Sequence, residues 1–230
     1  MTLKVYVDLM SQPCRALVLL LRANNVQYEE VAIALRKGEH QTEEFAKINP
    51  MQRVPAISHN GFNLSETVAI CDYLANEKLI ADRWFPRANK AHARVNEYLN
   101  WQHMNLRFFA SMYFRNRVLK SKGTQGGGEE ALGKQSVLDM GFEMALGQLE
   151  EFWLGKSPYI NGFDDITVAD LLAVCELEQP VIAGYDYSKE HPKIVEYMNR
   201  VRQRMNPEYD NVHKIVRRIT EMLASAKNKL

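Results

Sequence analysis

The first third of the chain alternates between short apolar segments rich in Val and Tyr and segments whose apolar residues recur at helical spacing. A short apolar run bounded by polar residues is typical of a buried strand, whereas apolar residues three and four positions apart are typical of a helix. Pro13 suits the first turn of a helix, and Asn60-Gly61 is a strong two-residue hairpin signal. The predicted order is therefore β-α-β-α-β-β-α, which is a small α/β unit. Its strands are expected over residues 3–9, 28–35, 55–58 and 62–64, and its helices over residues 13–24, 41–48 and from residue 65 onward.

The rest of the chain is predicted to be helical. Residues 79–87 show no clear period and predict a linker, so an α/β domain is expected over residues 1–78 and an all-helical domain over residues 88–230. The segment I-T-V-A-D-L offers Thr167 as the N-cap of one helix, with Asp170 three residues later. Helices are expected over residues 88–121, 129–154, from residue 167 onward, 191–204 and 207–227, with G-T-Q-G-G-G at residues 123–128 as a connection.

Composition and charge narrow the class of protein. The 230 residues are 46% hydrophobic and 25% charged, and the net charge of +1 provides no field that favours nucleic acid or an acidic membrane. Three cysteines are too few for a disulfide framework and favour a reducing compartment. Asp8 interrupts the first apolar run, and residues 16–21 fall far short of the roughly 20 residues of a membrane span. We therefore expect a cytoplasmic protein without membrane or nucleic-acid partners, and no Cys/His spacing indicates a metal site.

The stretch S-Q-P-C at residues 11–14 lies where the first strand is predicted to end and the first helix to begin. A Cys-x-x-Cys pair at this place would indicate thioredoxin-like redox chemistry, but the first position is Ser11. Ser11 fits either an ordinary helix cap or a donor to an anion, because a helix N-terminus carries about half a positive charge. Cys14 is followed by Ala-Leu-Val-Leu-Leu and fits a small buried residue better than a nucleophile.

Polar groups also stand at the starts of other predicted elements. The dipeptide Val54-Pro55 is a candidate cis-proline, although an ordinary proline at a strand start explains it equally well. Glu66-Thr67 begins a helix, where free N–H groups and the hydroxyl could hold a carboxylate and Glu66 could hold an ammonium. An acidic first turn explains the same two residues. His40 and Arg53 could meet a second carboxylate or could be solvated surface side chains.

These segments, in this order within one α/β unit, resemble a cytosolic glutathione transferase. The motif D-L-M-S-Q-P-C-R at residues 8–15 resembles the theta class in particular, and the resemblance extends over nearly the whole chain to I-T-V-A-D-L. It implies an N-terminal thioredoxin-like domain, an all-helical C-terminal domain and a homodimer. In the theta class a serine replaces the tyrosine used by the alpha, mu and pi classes. Tyr6 lies three residues too early to be that tyrosine and is expected to be a sheet residue.

The resemblance implies glutathione as co-substrate, with no metal. A free thiol has a pKa of about 8.5, and a hydroxyl that donates to sulfur beside a helix N-terminus favours the nucleophilic thiolate. Ser11 is the implied donor, and Arg107 would support the thiolate or the leaving anion, although an exposed helix arginine is an equal alternative. The resemblance implies that glutathione is bound by Gln12, His40, Arg53, Val54, Pro55, Glu66 and Thr67.

Two residues depart from the theta-class pattern, and the end of the chain affects the expected pocket for the electrophile. Gln41 stands where many theta sequences have a lysine, which weakens one carboxylate contact, and Met104 stands where some have an aspartate that contacts the partner subunit's glutathione. The chain ends at Leu230, whereas vertebrate theta members have a longer tail over the site, so we expect a more open pocket here. Its expected wall consists of Met10, Phe108, Met112 and Phe114, although such a stripe more often belongs to the core.

The leading hypothesis is a serine-type glutathione transferase that acts on small electrophiles, namely alkyl halides, sulfate esters, epoxides and peroxides. A non-catalytic protein of the same fold that binds glutathione or another ligand is the alternative, because fold alone does not establish activity. A thiol oxidoreductase that uses Cys14 is a third hypothesis, which Ser11 disfavours.

Overall fold

A four-stranded mixed sheet forms the first part of the molecule, in a computed structural model that describes residues 2–119, 129–155 and 157–227. The strand order is β2-β1-β3-β4, with β1 and β2 parallel and the other two pairs antiparallel. Tyr6 pairs with Val31 on one side and Ala56 on the other, which confirms that it is a sheet residue. The strands are β1 (Leu3–Val7), β2 (Glu29–Ala32), β3 (Ala56–His59) and β4 (Phe62–Ser65).

Ten α-helices lie in the described residues. Three belong to the sheet unit and the other seven follow it, which confirms the predicted fold class of an α/β unit followed by helices. The helices are α1 (Gln12–Ala23), α2 (Glu43–Ala46), α3 (Thr67–Asn76), α4 (Asn89–Met104), α5 (Leu106–Phe114), α6 (Glu129–Gln148), α7 (Val168–Ile182), α8 (Pro192–Met205), α9 (Glu208–Val212) and α10 (Lys214–Lys227). The predicted connection at residues 123–128 lies outside the described residues.

Two helices that the sequence predicts as continuous are interrupted. The helix expected over residues 88–121 is broken at Asn105, whose φ of −113° and ψ of −100° are not helical, and it continues as α5 and then as a π-helical turn, Arg115–Leu119. The helix expected over residues 207–227 consists of α9 and α10. No Gly or Pro stands at either break, so local sequence signals do not reveal the two interruptions.

Helix α7 forms the centre of the molecule. It packs against α1 of the sheet unit and against α4, α5, α8 and α10, and it is buried over almost its whole length. Its start follows the prediction, because Thr167 accepts a hydrogen bond from the Ala169 N–H and the Asp170 carboxylate accepts one from the Thr167 N–H. This capping box satisfies backbone groups that would otherwise be buried without partners. No helix in the described ranges has both the length and the apolar character needed to cross a membrane.

A histidine between two carboxylates joins α6 and its π-helical extension, Leu149–Leu154, to the start of α8. His191 is buried, its Nδ1 lies 3.0 Å from Glu150 Oε2, and its Nε2 lies 3.0 Å from Glu143 Oε2. A neutral imidazole can donate from only one nitrogen, whereas the imidazolium donates from both. Burial opposes the charged form, but the two carboxylates outweigh it and raise the pKa of His191. Ligand atoms of Glu143, Glu190 and His191 also lie within 4.8 Å of one another, although the ring of His191 is already bonded.

We expect His191 to stabilise the fold more at low pH than at high pH. A raised folded-state pKa means that the stabilising contribution is complete below the unfolded pKa of about 6.5 and disappears as pH rises through the folded pKa. The difference in free energy of unfolding between the wild type and His191→Gln should therefore be larger at pH 6 than at pH 9, as measured by urea denaturation. His92→Gln is the control, since His92 Nδ1 lies 3.0 Å from the neutral Pro86 carbonyl oxygen and its ring stacks on Phe85. An equal difference at both pH values would contradict the prediction.

Candidate functional site

The loop between β1 and α1 places Ser11 at the N-terminus of α1. The Asp8 carboxylate shapes this loop by accepting hydrogen bonds from the Met10 N–H at 2.8 Å and the Leu35 N–H at 3.1 Å. Ser11 is half-buried and extended, with φ −82° and ψ 127°, and its side chain makes no capping bond to the helix. The structure therefore does not show Ser11 as an ordinary side-chain cap, and its hydroxyl is not committed to the helix backbone.

Cys14 is a core residue. Its side chain is completely buried, and burial raises the pKa of its thiol to about 12, although the Ser11 hydroxyl and the Asp8 backbone act in the opposite direction. A thiol with this pKa is protonated at neutral pH and is a poor nucleophile. Cys71 and Cys175 are also free and buried. The interpretation of Cys14 as a small buried residue is confirmed.

A cleft of about 130 Å³ lies between the sheet unit and the helices. On the sheet side, the Val54–Pro55 peptide bond is cis, which answers the question that the sequence left open at this dipeptide. The Asn49 side chain donates to the Arg53 carbonyl oxygen at 2.7 Å and holds this loop in place. The residues that line the cleft are Pro13, Asn49, Arg53, Val54, Pro55, Glu66, Thr67, Val68, Gln102, His103, Arg107 and Leu172.

The start of α3 contributes a strained residue to the cleft. Glu66 has φ +67° and ψ 111°, a conformation that a residue with a Cβ rarely adopts and that costs on the order of 1–3 kcal/mol. Glu66 makes no side-chain capping bond, so the first N–H groups of α3 face the cleft together with Thr67. An uncapped helix N-terminus favours an anion, whereas the exposed Glu66 carboxylate favours a cation. The two ends of an amino-acid zwitterion fit this pair of groups.

The helical side of the cleft carries an arginine paired with a buried carboxylate. Arg107 donates from Nη1 to Glu176 Oε1 at 2.7 Å, and Glu176 is completely buried. Burial raises the pKa of the Glu176 carboxyl, although the Arg107 guanidinium acts in the opposite direction. Partial burial and the same guanidinium lower the pKa of His103, although the Glu66 carboxylate acts in the opposite direction. Arg107 is thus a cleft residue as the sequence suggested, and a buried carboxylate orients it.

Sequence reasoning did not find several residues of this site, namely Asn49, Gln102, His103, Leu172 and Glu176. Glu176 had a usable signal, because a single carboxylate within the apolar run L-L-A-V-C-E-L must have a partner if that helix is buried. Gln102 and His103 lie on the last turn of α4 and had no such signal. Gln102 is buried and its Oε1 atom has no hydrogen-bond partner, so an acceptor is available on this wall.

Ser11, the predicted thiol donor, is not among the residues that line this cleft, although Pro13, two residues later, is. Other predicted site residues also lie outside the lining. Gln12 donates from Nε2 to Ser111 Oγ at 3.0 Å, which ties α1 to α5. His40 is half-buried and its Nδ1 atom has no hydrogen-bond partner. Phe108 is exposed and Met112 is half-buried on α5. The cleft therefore unites Arg53, Val54, Pro55, Glu66, Thr67 and Arg107 out of the predicted set.

Two residues of the predicted electrophile pocket, Phe114 and Met10, do not line the cleft. Phe114 is buried in a separate apolar cluster with Ile182 and Val216, so it belongs to the core. Met10 packs against the same cluster, and so do Ile215, Ile219 and Leu223 of α10. Met10 therefore joins an apolar cluster to which the last helix also contributes, and the more open pocket stays a prediction. The amphipathic sequence of α10 explains why it packs there.

The family with the description "Glutathione S-transferase, N-terminal domain" matches residues 1–76. The chain is 35% identical over 224 residues to mouse glutathione S-transferase theta-1, covering 96% of this chain and 91% of that protein. A human theta-class transferase solved with the glutathione conjugate of 1-menaphthyl sulfate superimposes with a TM-score of 0.88 at 33% identity, over 99% of this chain and 92% of that one. Human theta-2, solved with glutathione and an unknown ligand, also has a TM-score of 0.88, at 32% identity over 97% and 91% of the two chains. This chain belongs to the theta class of the glutathione S-transferase family.

Proposed function

We propose that this protein transfers glutathione to small electrophiles and that the Ser11 hydroxyl donates a hydrogen bond to the glutathione thiolate. The observation that carries the proposal is the cleft itself, since it combines the uncapped start of α3, a carboxylate and a guanidinium within about 130 Å³. Family membership supports a transferase in general. Ser11 supports the finer mechanism because its hydroxyl makes no capping bond at the start of α1.

Each charged end of glutathione has a matching group in the proposed complex. Glu66 holds the γ-glutamyl ammonium, and Thr67 with the first N–H groups of α3 holds the adjacent carboxylate. The backbone of Val54, the residue before cis-Pro55, pairs with the cysteinyl residue of glutathione. Arg53 and the unpartnered Nδ1 side of His40 receive the glycyl carboxylate. Gln12 stays a proposed member of this set, and its hydrogen bond to Ser111 holds the start of α1 against α5.

The proposed chemical step is a nucleophilic substitution by the thiolate. The thiol loses its proton to solvent, the sulfur forms a bond to the electrophilic carbon, and the halide or sulfate leaves with its electron pair. The Ser11 hydroxyl and the α1 N-terminus stabilise the negative sulfur before the step, and Arg107 stabilises the anion that leaves. Epoxides follow the same course with ring opening. With a peroxide, the sulfur attacks one oxygen, the O–O bond breaks and the other oxygen leaves as an alkoxide that takes a proton from solvent. A second glutathione thiol then reduces the glutathione sulfenic acid to give the disulfide and water. No residue of this protein changes its covalent state.

The substrate class that has the most support is the sulfate esters. The human theta-class relative was solved with the glutathione conjugate of 1-menaphthyl sulfate, and Arg107 in this protein supplies a cation that suits a sulfate leaving group. Alkyl halides, epoxides and peroxides stay in the proposed range. A homodimer and a cytoplasmic location also stay predictions that rest on the family.

The function can be tested by combining binding with turnover. We expect saturable glutathione binding by calorimetry and product from at least one electrophile class by mass spectrometry. Glu66→Gln should weaken glutathione binding about tenfold through loss of a charge-assisted hydrogen bond. Glu77→Gln, at the far end of the same helix, is the matched control and should leave binding unchanged. Glutathione binding without any product would instead favour a non-catalytic binding protein, and absence of binding would refute both.

A further inference from the structure

Arg15 is a buried cation that forms no ion pair with a carboxylate of the described residues. Its side chain is fully buried near the start of α1, in the motif that contains Ser11. Within the described residues, no carboxylate oxygen lies within 4.0 Å of its guanidinium nitrogens. A buried charge costs several kcal/mol unless polar groups compensate it. The buried Glu176 carboxylate supplies part of this compensation from a distance, and neutral oxygens supply the hydrogen bonds. The positions of these oxygens show which segments the guanidinium holds.

Four hydrogen bonds connect Arg15 to two different parts of the molecule. Nη1 donates to the carbonyl oxygens of Leu9 at 2.8 Å and Met10 at 3.2 Å. Nη2 donates to the Cys175 carbonyl oxygen at 3.0 Å and to Gln179 Oε1 at 2.8 Å. The first pair lies in the loop that leads into Ser11, and the second pair lies on the central helix α7. One planar side chain therefore ties this loop to the most buried helix.

The peptide that enters Ser11 is held at both ends. The carbonyl oxygen of Met10 accepts from Arg15, and the N–H of the same peptide, which belongs to Ser11, donates to the Asp8 carbonyl oxygen at 2.8 Å. A peptide unit is planar, so fixing both ends fixes its orientation, and the φ of Ser11 is set once the peptide that follows Ser11 is also held. That dihedral determines where the Ser11 side chain leaves the backbone. The Ser11 carbonyl oxygen also accepts from the Arg15 N–H at 3.2 Å.

We propose that Arg15 is a positioning residue that aims the Ser11 hydroxyl at the glutathione sulfur by anchoring the loop before Ser11 to α7. This inference rests on the proposed function and adds the residue that makes the hydrogen bond of Ser11 effective. Lysine cannot replace the geometry, because its point-like ammonium lacks the fork with which the guanidinium reaches two carbonyl oxygens and α7 together. In the proposed complex, glutathione is bound by the loop before cis-Pro55 and by the start of α3. The KM for glutathione should therefore change little when Arg15 is replaced.

The experiment measures the thiolate absorbance of bound glutathione against pH in the wild type, Arg15→Lys and Arg22→Lys. Arg22 is the matched control on the same helix, since it pairs with Glu208 at 3.0 Å and Glu30 at 3.6 Å about 16 Å along the helix from Ser11. We expect Arg15→Lys to raise the pKa of the bound thiol by about one unit, which corresponds to about a tenfold lower kcat at pH 6.5. Its kcat should approach the wild-type value at pH 9, and its KM for glutathione should stay within about threefold. Arg22→Lys should shift neither quantity.

A second variant covers the case in which Arg15→Lys folds poorly. Gln179→Met removes one acceptor of the guanidinium and leaves the loop sequence intact, and it should raise the thiol pKa in the same direction by a smaller amount. A wild-type thiol pKa in every folded variant, with any loss of rate equal at all pH values, would overturn the positioning role alone. Absence of thiolate in the wild type itself would overturn the proposed function and this inference with it.

Discussion

Replacing Ser11 by alanine is expected to lower the rate of glutathione conjugation at pH 7 by roughly 10- to 100-fold, because a hydrogen bond to a charged group contributes about 1.5–3 kcal/mol. The loss should concentrate in kcat and should lessen as pH rises, since alkali ionises the thiol without help. Stability should change little, because alanine removes no capping bond and only a weak hydrogen bond between the Ser11 side chain and the Cys14 thiol. Steady-state kinetics from pH 6 to pH 9 with a sulfate ester and with an alkyl halide measure this effect.

Cys14→Ala is the control for this experiment. Cys14 lies one helical turn from Ser11 and is completely buried with a raised thiol pKa, so its loss should leave the pH profile unchanged. A modest loss of stability is expected from the small cavity, and rates should therefore be compared per folded molecule. The serine mechanism would be wrong if Ser11→Ala kept its activity while Cys14→Ala lost it, and the oxidoreductase hypothesis would then regain support.

Local signals predicted much of the fold. Pro13 at the start of α1, Asn60-Gly61 between β3 and β4, and Thr167 with Asp170 at the start of α7 each depend on chemistry within a few residues. The break at Asn105 has no such signal, because the residues around it are compatible with a helix and only packing against other elements decides the conformation. Element boundaries were missed for the same reason, as at β2, which is four residues long instead of eight.

The site was predictable to the extent that its chemistry is local. Glu66-Thr67 and Val54-Pro55 stand at element starts, and the structure brings both pairs into one cleft. Glu176 was missed because it acts across 69 positions of sequence, through Arg107. Arg15 belongs to the recognised motif, but its role depends on Cys175 and Gln179, which are more than 150 residues away. Met10 and Phe114 were assigned to the pocket because a stripe of apolar residues does not reveal which neighbour covers it.

Replacing Asp170 by alanine should have the largest effect on stability, a decrease of about 3–5 kcal/mol in the free energy of unfolding. The carboxylate is fully buried, and its Oδ1 accepts from the Ile160 N–H at 2.9 Å and the Tyr197 hydroxyl at 3.0 Å. Its Oδ2 accepts from the N–H of Thr167 at 2.8 Å and from its hydroxyl at 3.2 Å. Burial raises the pKa of this carboxyl to about 6, so it is ionised at pH 7.5, where urea denaturation should be measured.

Asp165→Ala is the matched control for Asp170→Ala. Asp165 is the same residue type five positions earlier, but it is 40% exposed and pairs with Arg83 and Arg204 at the surface, where ion pairs contribute about 0–1 kcal/mol. Equal losses in the two variants would show that the buried hydrogen bonds of Asp170 are not the cause.

Asp170→Ala and Ser11→Ala should change different properties, the first the stability of the fold and the second the rate of the reaction. Asp170 holds the first turn of α7, whereas Glu176 and the acceptors of Arg15 lie on later turns of the same helix. At low temperature, where Asp170→Ala is still folded, its conjugation rate per folded molecule should therefore stay within about threefold of the wild type. Ser11→Ala should show the opposite behaviour, with an intact fold and a slow reaction. A parallel fall of rate and stability in both variants would mean that α7 transmits its stability directly to the cleft.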